Sequence, residues 1–413
     1  MRAIVAVLGD LTRSPRMRYH ALALARRAVD VDLTGYQDDE TAVPDGDPRI
    51  RLRLLPAPFR ATGHGAGYIL SVAVNVPSQA LALLCRILFT RRRPDVVLVQ
   101  TPPAVPTLPV AWLAARLRGS RLVVDWHNLA YTLLALRLGR RHPLVTLAAF
   151  IERRFGRLAD GHLCVSQALR EALSHRWGLR GVAVLYDRSG PGFDGPRPER
   201  ADEARRRVLQ RIGLASAARP ALVVSPTSWT LDEDFGLLLA AAERCEDLAR
   251  QLESRPGARP FPDVVVLVTG RGPLRAAFEA RVAQRTGRRI HVRTLWLSPE
   301  EYADVLAAAD LGLSLHRSSS GLDLAMKVAD MFACGLPVFA FDYGACLAEQ
   351  VRHGVNGLVF ASVEELAERL CEAFAGFPSE TATLDRLRPG ALASGRRRWI
   401  DEWNDTAAAV VLG

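Results

Sequence analysis

The sequence predicts an α/β fold, two doubly wound parallel-sheet domains facing a central cleft, and three observations carry that expectation. Short apolar, β-branched runs recur between longer helical stretches, an alternation that lays successive strands parallel. The stretch 189–198, SGPGFDGPRP, is mostly Gly and Pro, which end helices and strands alike, so it separates two such series. At 413 residues, 49% hydrophobic and 24% charged, the chain is long enough to bury two cores. The expected organisation is a first α/β domain over 1–188, a linker over 189–200, a second α/β domain over 201–395 and a C-terminal helix over 396–413.

In the first domain strands are expected at 3–8, 96–100, 121–125, 162–165 and 182–185, and in the second at 221–225, 264–269, 290–294, 311–315 and 338–341. Near-continuous apolar runs of this length suit strands covered on both faces, and ligands of such sheets bind beyond the carboxyl ends of the strands. Residues 68–89 read as a helix. Asn75, Pro77, Ser78, Gln79 and Arg86 make it too polar to span a bilayer, where a central Arg costs roughly 2.5–3.5 kcal/mol. Arg91, Arg92 and Arg93 at its end suit either an interfacial helix at anionic headgroups or a solvated basic turn. Residues 255–262 read as a surface insertion, and 396–411 as an amphipathic strut with Trp399 and Trp403 one turn apart.

Composition narrows the function. The chain carries 54 basic and 44 acidic side chains, and every cation except Lys327 is an arginine. Residues 1–190 hold 27 basic against 14 acidic groups, so the first domain is the one expected to meet an anionic partner. Those cations are not interleaved with aromatics along one element, and no helix-turn-helix or RNA-binding signature accompanies them, which argues against nucleic acid. Six scattered cysteines without a CxxC pair indicate neither a metal site nor a disulfide framework, and suit a reduced cytoplasmic setting. The apolar run 3–8 is followed too soon by Asp10, Arg13 and Arg16 for a signal peptide.

The candidate chemistry lies just after the strands. Gly9 permits a close backbone approach, Ser14 followed by Pro15 starts a helix whose free N–H groups attract anions, and Arg13 and Arg16 add forked donors suited to phosphate; a plain strand-to-helix turn is the alternative. Strand 121–125 ends in DWHN. His127 with Asp125 behind it is a usable general base, Asp10 is the second candidate, and a helix cap with a packed polar ring is the alternative. In the second domain SPTSWTLDEDF (225–235) offers the hydroxyls of Thr227, Ser228 and Thr230, and TGRGPL (269–274) offers Gly270, Arg271 and Gly272 in a tight turn. The segment 311–338 is the richest. Ser318, Ser319, Ser320 and Gly321 form a polar loop, and Asp323, Lys327 and Asp330 fall at i, i+4 and i+7, the spacing of one helix face. Such a face is ordinarily a solvated ion-pair row, but the lone lysine beside a Ser/Gly loop suits a diphosphate, and an acid further along suits ribose hydroxyls.

The strings GDLTRSPRMRYHAL, VVDWHNLAYT, SPTSWTLDEDFGLLLAA, VTGRGPL, TLWLSPEEY, DLGLSLHRSSSGLDLAMKVADMFACGLPV and GLVF, in that order, resemble the chitobiosyldiphosphodolichol beta-mannosyltransferase family over nearly the whole chain. The resemblance implies a GT-B fold, an acceptor-binding first domain and a nucleotide-sugar-binding second domain. It implies GDP-mannose as donor, a lipid-diphosphate-linked GlcNAc-type acceptor, inversion at the anomeric carbon, and no cofactor or obligatory metal. It also implies a member without the membrane anchor of the eukaryotic ones, cytoplasmic and peripheral at the inner membrane face. Asp330 takes the place of the second acid of the E-x7-E motif of related transferases, which holds the ribose; the first acid position falls at Leu322 or Asp323, a departure from the motif.

The expected mechanism is in-line attack by an acceptor hydroxyl, with His127 backed by Asp125 as base. Lys327, Arg271 and the 318–321 loop would stabilise the departing diphosphate. A retaining transferase of the family-four type with another nucleotide sugar is the alternative activity, a pyridoxal phosphate phosphorylase the alternative enzyme on this fold, and a nucleic-acid-binding protein the alternative outside enzymes.

Overall fold

The computed structural model describes all residues except 38–46, 59–65, 194, 196–197, 215–218, 231, 258 and 286. The chain divides into two compact units, Met1–Asp187 with Trp399–Gly413, and Arg188–Arg398. The residues expected as a linker, 189–200, go with the second unit, and Pro198 already opens its first helix; Asp194, Pro196 and Arg197 lie outside the described residues.

The first unit holds a seven-stranded sheet of β1 (Arg2–Asp10), β2 (Asp30–Tyr36), β3 (Ile50–Leu54), β4 (Val96–Thr101), β5 (Arg121–Trp126), β6 (Gly161–Cys164) and β7 (Val182–Val184). Their spatial order is β3-β2-β1-β4-β5-β6-β7, with every pairing parallel. Its helices are α1 (Pro15–Ala25), α2 (Ala66–Leu88), α3 (Thr107–Arg118), α4 (Ala130–Leu138), α5 (Pro143–Gly156) and α6 (Gln167–Trp177). The strand order reverses between β1 and β4, which places a topological switch point at the turns that follow Asp10 and Thr101.

The second unit holds a six-stranded sheet of β8 (Ala221–Pro226), β9 (Val264–Thr269), β10 (Ile290–Leu295), β11 (Leu311–Ser314), β12 (Val338–Phe341) and β13 (Gly357–Phe360), in the order β10-β9-β8-β11-β12-β13, again all parallel. The helices between them are α7 (Pro198–Arg211), α8 (Phe235–Glu253), α9 (Arg275–Val282), α10 (Pro299–Ala308), α11 (Met326–Ala333), α12 (Val363–Phe374) and α13 (Ala382–Gly395). All residues of β8 and β9 are buried, because apolar clusters cover the sheet on both faces. The switch point here lies between β8 and β11, whose trailing loops carry the SPTSWTLDEDF and HRSSSGLDL strings.

Three strands have no counterpart in the sequence expectation. β2 hides Asp32 (3% exposed) and Thr34 in its centre, β3 alternates Ile and Leu with Arg, and β13 is four residues long. The C-terminal segment is also shorter than expected: α13 runs on to Gly395, and helical turns resume only at Trp399. There Trp399 and Trp403 pack into the core of the first unit.

Segment 66–88 is helical with Pro77 inside it, and among the described residues no helix is long and apolar enough to cross a membrane. Leu83 and Ile87 of this helix are fully buried, while Val74 and Leu81 are 51% and 62% exposed.

Candidate active site

At the carboxyl edge of the first sheet, the sequence candidates separate into a buried anchor and an accessible turn. Arg16, on α1, is 0% exposed. Its Nε and Nη2 donate to the two Asp125 oxygens at 2.6 and 2.8 Å, and its Nη1 donates to Asp187 at 2.8 Å and to the Leu185 carbonyl at 2.9 Å. Burial works against the guanidinium charge, but Asp125 and Asp187 more than offset it and hold its pKa above the usual value. Burial likewise opposes the Asp125 carboxylate, and Arg16 and His20 hold its pKa well below the usual range.

His20 completes the cluster. Its Nδ1 accepts from Trp403 Nε1 at 2.9 Å and its Nε2 donates to Asp125 at 3.1 Å, an arrangement that needs the neutral ring; burial lowers its pKa in the same direction. Trp399 packs edge-on to His20 and lies under the Arg16 guanidinium, which explains why two tryptophans one turn apart mark the C-terminal segment.

Two expectations are corrected by this geometry. Arg16 has no exposed surface with which to reach a phosphate, and Asp125 supports Arg16 and His20 instead of backing His127. Arg16 and Asp125 stand 109 residues apart in sequence, which is why local reading could not pair them.

The remaining candidates stay at the edge. Asp10 ends β1 and caps the turn Leu11–Arg13, accepting from the Thr12 amide at 2.9 Å and its hydroxyl at 2.8 Å, with Arg13 at 3.7 Å. Gly9 adjoins it, and Ser14 is the N-cap residue of α1 without a side-chain capping bond. His127 is half-buried just beyond β5, its backbone N–H donating to the Thr101 carbonyl at 2.9 Å. Close by, the fully buried Glu152 caps α4, accepting from the Ala130 and Tyr131 amides at 2.8 and 3.2 Å; burial raises its pKa to about 8 against those bonds.

The carboxyl edge of the second sheet brings the other candidates together. The loop after β8 and the loop after β9 touch backbone to backbone. A Cβ on Gly270 (φ +143°) would lie 1.9 Å from the Thr227 carbonyl oxygen, and one on Gly272 1.9 Å from that of Ser228. These two glycines are therefore required by the close approach. Trp229 fastens the same contact, its Nε1 donating to the Gly270 carbonyl at 3.0 Å. Arg271, between the glycines, lies over the Trp296 ring at 4.0 Å.

The loops after β8 and β11 are joined through the pair Glu233 and His316, which form an antiparallel bridge. Each of three successive acids meets a cation: Asp232 lies 3.5 Å from His316, Glu233 3.0 Å from Lys327, and Asp234 3.2 Å from Arg317. Glu233 also accepts from the Thr227 hydroxyl and, at 3.1 Å, from the Ser228 amide, so the lysine rests on a fixed carboxylate. The second nitrogen of His316 lies 3.0 Å from Asp323. Burial opposes its charge, yet the two carboxylates raise its pKa to about 9, while Asp232, against its own burial, is held at about 2 chiefly by its bond to His316.

The expected helix face is corrected. α11 starts at Met326, so Lys327 and Asp330 lie on the helix, whereas Asp323 precedes it and is bound by His316 and the Ser318 hydroxyl. In the polar loop, the Gly321 and Leu322 amides donate to Ser318 at 2.8 and 3.2 Å, and Leu322 also to Ser320 at 3.1 Å. Those amides organise the turn instead of facing a ligand; Gly321 takes φ +73° and Ser319 lies half-buried at the tip. Glu233, Asp232 and His316 are the residues that sequence reading missed. The three-acid run beside one strand end and the His-Arg pair beside its neighbour were the available signal. Among the described residues, no cluster of His, Cys, Asp and Glu has the geometry to hold a metal ion.

Comparison with known proteins agrees with this architecture. The Glycosyl transferase 4-like domain matches residues 14–186, and the Glycosyl transferases group 1 domain matches 235–375. Among solved structures, sucrose-phosphate synthase from Thermosynechococcus elongatus superposes with a TM-score of 0.67 at 16% identity, covering 100% of this chain and 97% of that one. WaaG, a glycosyltransferase involved in lipopolysaccharide biosynthesis, gives 0.60 at 16% identity with 100% of both chains covered. The fold is GT-B.

Curated relatives are much nearer in sequence. The chitobiosyldiphosphodolichol beta-mannosyltransferase of Mus musculus is 40% identical over 98% of this chain and 87% of its own length. That of Homo sapiens is 37% identical over 99% and 92%, and UDP-glycosyltransferase TURAN of Arabidopsis thaliana 39% identical over 99% and 97%. With both sheets, both domain matches and this identity along its whole length, the chain is a glycosyltransferase and belongs to the chitobiosyldiphosphodolichol beta-mannosyltransferase family.

Proposed function

We propose that the protein transfers mannose from GDP-mannose, in beta linkage and with inversion, to a GlcNAc-type acceptor carried on a lipid diphosphate. It works without cofactor or divalent cation, at the cytoplasmic face of an anionic membrane. The observation that carries the reading is the identity of 34–40% over nearly the full chain with several proteins named chitobiosyldiphosphodolichol beta-mannosyltransferase. Geometry supports the division of labour. The second sheet's switch point gathers Lys327, His316 and Arg317, with Arg271 on the adjoining loop after β9, and cations fixed in advance stabilise a leaving diphosphate without reorganising during reaction.

In this reading Lys327 and Arg271 contact the diphosphate. The 227–230 hydroxyl loop and the 318–321 loop shape the pocket wall, and Asp330 binds the ribose. Glu233 and His316 act through others, holding Lys327 and the Asp323 turn in place. His127 takes the proton of the acceptor hydroxyl, with Asp10 as second candidate. Arg13, Ser14 and Gly9 border the acceptor's diphosphate.

The test is transfer of mannose from GDP-mannose to a synthetic phytanyl diphosphate chitobiose, with and without EDTA, and the product's anomeric configuration by NMR. A beta product formed at equal rate with EDTA is expected; an alpha product or no transfer refutes the reading. His127→Ala is expected to reduce kcat about 10²–10⁴-fold with both substrates saturating, the share typical of a general base. Near wild-type turnover removes His127 from that role.

The Arabidopsis relative's name favours a second reading, a UDP-sugar donor. Thermal stabilisation by GDP-mannose but not by UDP-sugars decides between the two, since a ligand at 100 times its Kd adds about 2.7 kcal/mol.

A further inference from the structure

The first unit carries an apolar pocket of about 490 Å³ that the reaction chemistry does not use. Its walls come from the Pro102–Val105 turn after β4, from α4 (Leu133, Leu134), from α5 (Leu147, Ala148) and from Val76 on α2. We infer that this pocket binds the hydrocarbon chain of the lipid acceptor, next to the diphosphate-bearing end. The inference rests on the proposed reaction for the identity of the acceptor, and on four observations for the place.

The pocket is on the ligand-binding edge of the sheet. Pro102 follows directly on β4, and Ala130, also in its lining, comes three residues after His127. A lipid seated there therefore has its polar end beside the candidate base. The lining is apolar but for Arg137, and Arg140 and Arg141 follow in the exposed turn between α4 and α5. An apolar lining of this kind suits a hydrocarbon chain, and the volume is that of a small-ligand site.

The lip is exposed: Leu144 is 41%, Leu147 52% and Phe150 64% accessible, an apolar cluster that soluble surfaces seldom leave to water. Finally, the site is concave. A flat bilayer surface would cover the convex lip side chains yet leave the hollow unfilled, whereas a single chain fills it and meets the lip as it leaves.

The experiment compares two diphosphate chitobiose acceptors in detergent micelles, one with a phytanyl chain and one with a butyl chain, for wild type, Ala148→Trp and Leu147→Glu. Ala148→Trp fills the hollow. Leu147→Glu changes a half-exposed lip residue, so folding does not depend on it. The preference for the long chain, as a ratio of kcat/KM values, is expected to fall about ten-fold or more in both variants, the size of effect that follows when a pocket no longer buries a few methylenes of its substrate. An undiminished ratio overturns the inference, including the case where both acceptors lose activity equally.

If the variants lose flotation with phosphatidylglycerol vesicles while the ratio in micelles stays at its wild-type value, the face seats the membrane and the inference is also overturned. Direct binding of dansyl-labelled farnesol separates this inference from the proposed reaction. Binding by wild type that Ala148→Trp abolishes places a hydrocarbon chain in the pocket even if no mannose is transferred. Equal binding by both, or none by wild type, rejects the site whatever the reaction.

Discussion

Replacing Arg16 by Leu tests the division between anchor and site most directly. The substitution removes four hydrogen bonds, two to Asp125 and one each to Asp187 and the Leu185 carbonyl, and leaves two carboxylates that are buried or nearly so without their cation. Breaking a buried pair from one side costs about 3–5 kcal/mol, because the remaining charge keeps its desolvation penalty. For a domain of this size each kcal/mol moves Tm by about 2–4 °C, so the first unit is expected to melt roughly 6–20 °C lower.

The sign of the pH dependence gives a second handle. In the wild type the Asp125 pKa is depressed on folding, so its contribution is present above the unfolded value and is lost as pH falls through the folded one. In Arg16→Leu the same carboxyl, buried without its cation, has its pKa raised. The folded state then binds the extra proton, and the variant gains stability relative to wild type between pH 7 and pH 5. Circular dichroism melts at the two pH values measure both effects. A loss below about 1 kcal/mol that does not change with pH, together with a raised KM for the acceptor, would refute the anchor and return Arg16 to the phosphate site.

The remaining predictions concern the second unit. Lys327→Ala is expected to weaken GDP binding about ten-fold or more by calorimetry, as loss of a charge-assisted hydrogen bond does; unchanged affinity removes the lysine from the diphosphate. Gly270→Ala forces a Cβ to within 1.9 Å of the Thr227 oxygen at φ +143°, so the two loops must part, and GDP affinity and urea stability are expected to fall together. The folded pKa of His316, about 9, lies above the ordinary histidine value, so its contribution is complete below about pH 6.5 and disappears as pH rises through 9. Urea titrations should show the second unit weakening over that window in wild type and less in His316→Asn; equal slopes would contradict the carboxylate clamp.

How much of this is legible in the sequence depends on the distance over which each feature is decided. The apolar strands are local and readable: 264–268 and 221–224 are uniformly apolar because helices cover both faces. β2 is not, because Asp32 and Thr34 interrupt its pattern. Asp32 is tolerated there through Arg2 at 2.6 Å and Arg53 at 3.8 Å, partners from the two neighbouring strands that local periodicity cannot show. The i, i+4, i+7 spacing of Asp323, Lys327 and Asp330 is true of the sequence but not of the backbone. His316 and Ser318 hold Asp323 in the turn, and the helix begins three residues later.

The single lysine shows how such long-range pairing changes the chemistry that a residue type suggests. In the sequence it reads as a compact charge awaiting a phosphate; in the fold it already has a partner, Glu233, from the loop across the switch point. The Lys327 side chain is 32% exposed while that of Glu233 is 6% exposed and also bound by Thr227 and the Ser228 amide. A diphosphate reaching Lys327 therefore need not break the Glu233 contact, because an ammonium has three donors and the glutamate occupies one. Arginine would present a planar fork to Glu233 and have less freedom to share its charge between the two directions. On the role proposed for Lys327, that difference gives a physical reason for a lysine at this one place in a chain that otherwise uses arginine: a diphosphate would meet a cation held from behind and open in front.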